Sequence, residues 1–85
     1  CDALRAQIGK VTFPIICKYV DGIITVSEED IIYTMKLIWD RLKIIVEPSC
    51  SIVLASVLKN KSSFKGKKIG LILSGGNVDL DQLPW

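Results

Sequence analysis

Ile69-Gly70-Leu71-Ile72-Leu73-Ser74-Gly75-Gly76-Asn77 is the stretch on which the fold turns. Five apolar or small residues in a row are too short for a helix. They match a strand buried on both faces of a parallel sheet. Ser-Gly-Gly-Asn then takes the chain off the sheet, and in α/β sheets ligands bind beyond the carboxyl ends of strands. A second β-branched run, Ile23-Ile24-Thr25-Val26, follows the turn signal Asp21-Gly22 and reads as another strand.

Helices separate the two strands. Ser27-Glu28-Glu29-Asp30 sets a hydroxyl acceptor ahead of three acids, a capping-box-like start that complements the helix dipole. Behind it Ile31, Met35, Ile38, Leu42 and Ile45 form one apolar stripe, widened by Ile32 and Trp39, with Arg41 and Lys43 at the far end. The spacing predicts a helix over residues 28–43. Glu47-Pro48 restarts the pattern: Pro48 suits a first helical position, and Ile52, Val53, Ala55, Val57 and Leu58 give a nearly all-round apolar helix ending near Asn60. Such a helix is expected to be buried on several sides. Ahead of these, residues 1–9 read as a helix or loop end stopped by Gly9, and Pro14 near the front of Ile15, Ile16, Tyr19 and Val20 suits a short helix. Residues 59–68 read as a solvated loop, and the tail from Val78 to Trp85 shows no clear element.

The order helix, strand, helix, helix, strand is α/β. Two strands of the doubly buried type cannot form a covered sheet, and parallel neighbours need crossover units. The remaining strands are therefore expected upstream of Cys1. Composition agrees: 85 residues allow one small domain at most, yet 49% of them are apolar. The chain also begins with Cys1 rather than Met, as expected of a processed or excised piece.

Charge and cysteine usage exclude several classes. Eleven Lys and Arg against nine Asp and Glu leave +2, too balanced for neutralising many phosphates, so no nucleic-acid partner is expected. The longest uncharged stretch, residues 48–58, is far short of the roughly 20 residues of a membrane span. Three cysteines (Cys1, Cys17, Cys50), no CxxC and no histidine argue against zinc and for reduced thiols, hence a soluble protein of the cytoplasm. Without histidine there is no such base for a Ser or Cys nucleophile. Lys67-Lys68 reads as a solvated edge, and Asp79 with Asp81 makes a poor metal site.

Three features bear on ligand chemistry. In Ser74-Gly75-Gly76-Asn77 the glycines admit close backbone approach and Ser74 offers a donor and acceptor, although a plain turn explains the same residues. The spacing is not that of a Walker loop. Glu47-Pro48-Ser49 places a carboxylate at a helix start, where it either caps the helix or faces a ligand. Gly9 either stops a helix or lets a flat ring lie on the backbone.

In order and spacing these segments resemble the C-terminal part of the fold type II pyridoxal-phosphate enzymes, within them the serine racemase and serine/threonine dehydratase (ammonia-lyase) family. The matching stretches are Asp2-Ala3-Leu4 with Ile8-Gly9, Thr12-Phe13-Pro14-Ile15-Ile16, Val20-Asp21, Thr25-Val26-Ser27-Glu28-Glu29, Val46-Glu47-Pro48-Ser49 and Leu73-Ser74-Gly75-Gly76-Asn77-Val78-Asp79-Leu80. Where the family usually continues with Gly-Ala after Glu-Pro-Ser, this chain has Cys50-Ser51.

The resemblance implies a fold like that of the tryptophan synthase beta chain, three layers with helices around a mostly parallel sheet. Residues 1–85 would be a C-terminal part that does not stand alone. It implies pyridoxal 5'-phosphate as cofactor, with Ser74 on the pyridine nitrogen, Gly9 against the ring face, Glu47 at the ring edge and Gly75 beside it. Arg41, Lys43 and Asn77 match positions near a nucleotide effector of the racemase branch. No catalytic residue lies in this segment: the Schiff-base lysine, the phosphate-binding loop, the serine base and the ligands of a possible divalent metal belong upstream. The whole enzyme would be a homodimer converting L-serine or L-threonine to a 2-oxo acid and ammonia, or racemising serine. The alternative is a small non-catalytic α/β interaction module or an inactive fragment.

Overall fold

The computed structural model describes Cys1 and residues 4–85; Asp2 and Ala3, part of the first matching stretch, lie outside the described residues. Four helices run in order: α1 (Thr12–Tyr19), α2 (Glu28–Leu42), α3 (Pro48–Lys59) and the single turn α4 (Lys61–Phe64).

Helix α2 begins as its sequence dictates. Ser27 Oγ accepts from the Asp30 amide at 3.1 Å, and the Asp30 carboxylate accepts from the Ser27 amide at 3.4 Å, a reciprocal capping box. Its C-cap, Lys43, takes a left-handed conformation (φ 57°), so the chain turns sharply without a glycine. Ile31, Thr34, Met35 and Ile38 are buried, the i, i+3, i+4, i+7 set of one face. Leu42, the last residue of the helix, and Ile45, beyond the turn at Lys43, do not continue it: both are exposed.

Helix α3 opens on Pro48, whose missing N–H lies where no intrahelical bond would form. It packs across the N-terminal part of α2: Ser51 Oγ reaches the Ile31 carbonyl at 3.3 Å, and Lys59 at the other end of α3 pairs with Asp30 at 3.2 Å. Only Cys50, Ser51 and Ala55 of α3 are fully buried. Ile52, Val53, Val57 and Leu58 are half-buried, since α2 is the one long helix packed against α3 among the described residues.

The core consists of Met35, Ile38, Val46 and Cys50, flanked by Trp39, Leu54 and Val78. Trp39 donates its indole N–H to the Val46 carbonyl at 2.9 Å, and Trp85 meets the Trp39 ring edge-on at 5.1 Å. The tail, without an element of its own, thus folds back onto α2. Cys1, Cys17 and Cys50 are all free thiols. No helix of the described residues is long and apolar enough to cross a membrane.

Two expectations are corrected. No strand forms among the described residues: 23–26 and 69–73 are irregular, so the sheet is not realised. A strand exists through its ladder partner, and these segments find none among the described residues. Residues 69–73 are also not doubly buried; Ile72 is 80% exposed against 37% for Leu71 and Leu73, the alternation of an extended chain with one face toward protein. The second correction is α4, a helical turn where an irregular loop is expected, closed by the Ser63 amide on the Asn60 carbonyl at 3.0 Å.

The Ser27 hydrogen bond, with Lys59 second, holds the Asp30 carboxyl below its ordinary value of 3.8. A carboxyl whose folded-state value is lowered stabilises the fold above its ordinary value, and loses that contribution as pH falls through the lowered one. Melting temperature should therefore drop on acidification below about pH 4, and the drop should shrink in Asp30→Asn. An unchanged acid profile in that variant would contradict this assignment.

Candidate functional site

The α2–α3 turn and the loop after residue 73 meet, bringing two separate motifs together. The Glu47 amide donates to the Gly75 carbonyl at 3.1 Å. On the face of Gly75 where a side chain would stand lies the Glu47 carboxylate: a Cβ there would collide with Oε1 and lie 3.1 Å from Cδ. A Cβ on Gly76 would be 2.7 Å from the Ile45 carbonyl oxygen. Backbone thus demands a glycine at 76, while at 75 the space is filled by a side chain that can move, where the sequence suggested approach by a ligand.

Glu47 is the N-cap of α3, yet its side chain makes no capping bond. Pro48 has no N–H, and the amides of Cys50 and Ser51 already bond the Glu47 backbone carbonyl at 3.1 and 3.2 Å. The half-buried carboxylate instead accepts from Ser49 Oγ at 3.0 Å. Of the two meanings open to Glu47, side-chain capping is thus removed. Ser74 is exposed directly beside this pair, and its hydroxyl has no hydrogen-bond partner among the described residues.

Gly9 sits ahead of α1, its carbonyl accepting from the Phe13 amide at 3.0 Å and Thr12 Oγ1 at 3.2 Å. A Cβ on Gly9 would meet only Thr12 Oγ1, at an ordinary 3.6 Å. No contact links Gly9 to Glu47 or Gly75 among the described residues, so these 85 residues do not by themselves bring it to the other three positions.

Arg41 and Lys43 share one partner, Asp40, at 3.8 and 3.6 Å on the open surface. Exposed pairs of this kind are worth about 0–1 kcal/mol. Asn77 lines a cleft with Met35, Pro48 and Gln82.

No group of three His, Cys, Asp or Glu that could hold a metal occurs among the described residues. The Asp79 carboxylate accepts from the Asp81 amide at 3.0 Å, a local turn. What the residues do offer suits a flat, hydrogen-bonding ring: an open glycine face at Gly9, an unpartnered hydroxyl at Ser74 and a fixed carboxylate at Glu47. Sequence reasoning missed the Ser49 hydroxyl and the Ile45 carbonyl. Spacing alone gave Ser49 away, two residues after Glu47; a backbone carbonyl leaves no such trace.

The family described as "Pyridoxal-phosphate dependent enzyme" matches residues 1–75. Serine racemase of Dictyostelium discoideum is 50% identical over 84 residues, which cover 96% of this chain and 26% of that protein. The beta-hydroxyaspartate dehydratase of Paracoccus denitrificans is 45% identical over 84 residues, 99% of this chain and 27% of the relative. The crystal structure of the Dictyostelium racemase superposes with a TM-score of 0.85 at 51% identity, covering 93% of this chain and 27% of that one. The chain spans about a quarter of the length of the curated relatives it matches.

Proposed function

The chain belongs to the pyridoxal-phosphate-dependent enzyme family, and from that premise we propose that it is the C-terminal part of a fold type II dehydratase or racemase acting on serine-like amino acids. The contact that carries this reading is the one between Glu47 and Gly75, which joins Glu47-Pro48-Ser49 to Ser74-Gly75-Gly76-Asn77 as a single site. Similarity to a serine racemase and a beta-hydroxyaspartate dehydratase supports a substrate bearing a β-hydroxyl, with L-serine and L-threonine the first to try.

Pyridoxal phosphate, when bound, supplies an electron sink at the substrate's α-carbon. The residues of this chain bind and orient it. Ser74 would hold the pyridine nitrogen through a neutral hydroxyl, which would suit elimination or racemisation at serine-like substrates. Glu47, fixed by Ser49, would stand at the ring edge, and Gly9 would give a ring face room against bare backbone. Arg41, Lys43 and Asn77 would lie near a nucleotide effector in the whole enzyme. The lysine that takes the α-proton, the phosphate loop and any divalent metal belong to the remainder of the enzyme, which we read as a cytoplasmic homodimer.

Full-length protein supplied with pyridoxal phosphate and L-serine or L-threonine should release 2-oxo acid and ammonia, or accumulate the opposite enantiomer of serine. The 85 residues alone should do neither. Turnover by the short chain, or none by the full-length protein, would refute the proposal. Gly9→Ala sharpens the test. An alanine fits the backbone there, so stability should stay within about 0.5 kcal/mol, while cofactor affinity should fall about tenfold or more if a ring lies on that face. Unchanged affinity would remove Gly9 from the site.

A further inference from the structure

We infer that Ser49 is a positioning residue for Glu47 in the cofactor site, an inference that rests on the reading of that site given above. A glutamate at an N-cap has three rotatable bonds and would ordinarily turn toward the amides of the first helical turn. Here those amides offer little. Pro48 has none, the Cys50 and Ser51 amides are already bonded to the Glu47 carbonyl, and the Glu47 side chain makes no bond to the remaining one, of Ser49. The Ser49 hydroxyl, donating to Oε2 at 3.0 Å, draws the carboxylate the other way. Its second oxygen is thereby packed against the bare Cα of Gly75, one residue from Ser74.

Backbone, hydroxyl and glycine thus act together. The Glu47 amide bond to Gly75 sets the separation of the two segments, Gly75 leaves the space, and Ser49 chooses the rotamer that fills it. Charge-assisted bonds of this kind are the stronger ones, and partners behind a ligating group tune it through orientation. Without the hydroxyl the carboxylate loses its only hydrogen-bond donor among the described residues and is free to leave the Gly75 face.

The test uses the full-length protein stripped of cofactor and titrated with pyridoxal phosphate, followed by fluorescence and by the ratio of the bound cofactor's absorbance bands. Ser49→Ala should weaken binding about tenfold and change the band ratio, as loss of one hydrogen bond to a charged group implies. Ser49→Thr, which keeps the hydroxyl, should restore both to within about twofold. In a Glu47→Gln background the further change Ser49→Ala should add less than about twofold, since the two residues act as one unit. Wild-type affinity and spectrum in Ser49→Ala, or an equal loss with and without the Glu47 carboxylate, would overturn the inference and leave the cofactor site standing. Failure of the unmodified protein to take up pyridoxal phosphate would instead overturn the site itself, and this inference with it.

Discussion

Gly76→Ala is expected to cost about 3 kcal/mol of stability and to abolish measurable cofactor uptake. The methyl group would stand 2.7 Å from the Ile45 carbonyl oxygen, which is backbone and cannot rotate away. Relief requires separating the 45–47 segment from the loop, and with it the Glu47 amide bond to the Gly75 carbonyl. Gly75→Ala makes a useful contrast. Its methyl group meets the end of the Glu47 side chain, which can swing out at a cost of about 1 kcal/mol or less. Gly75→Ala should therefore fold nearly normally and still lose the carboxylate from the site. Denaturant melts and cofactor titration of the two variants separate these outcomes. Equal stability losses would mean that the two glycines do not meet different kinds of neighbour.

Ser74→Ala carries the second large effect, on activity rather than folding. The side chain is exposed and holds nothing in place among the described residues, so stability should change by less than about 0.5 kcal/mol. Removing a polar group that acts on the reacting system typically costs about 10²-fold in kcat, and a loss of that order is expected in the full-length enzyme. Ser74→Asp should also lose elimination activity while retaining cofactor, because a carboxylate would hold the ring nitrogen protonated. A fully active Ser74→Ala enzyme would contradict the role given to this hydroxyl.

Helices α2 and α3 were legible because their signals are local. Ser27 and Asp30 announce the start of α2 within one turn, and Pro48 announces α3. The sheet was legible only as intent: residues 23–26 and 69–73 have β-branched and apolar composition, but a strand is a relation between segments and needs a partner to exist. The apolar stripe of α2 was read two residues too far, since nothing in Lys43 signals a left-handed turn. Of the site, the residues were legible and their meeting was not. Glu47 and Gly75 are joined by a backbone hydrogen bond whose partners carry no side-chain signature. Likewise, the glycines suggested room for a ligand, whereas that room is taken by Glu47 and Ile45.

The most direct measurement is a crystal structure of the full-length protein with pyridoxal phosphate bound. Ser74 Oγ should lie about 2.7–3.0 Å from the pyridine nitrogen, with the Glu47 carboxylate at the ring edge still held by Ser49. A pyridine nitrogen paired with any other side chain, or a cofactor seated away from the loop that carries Ser74, would contradict the assignment of this segment to the cofactor site.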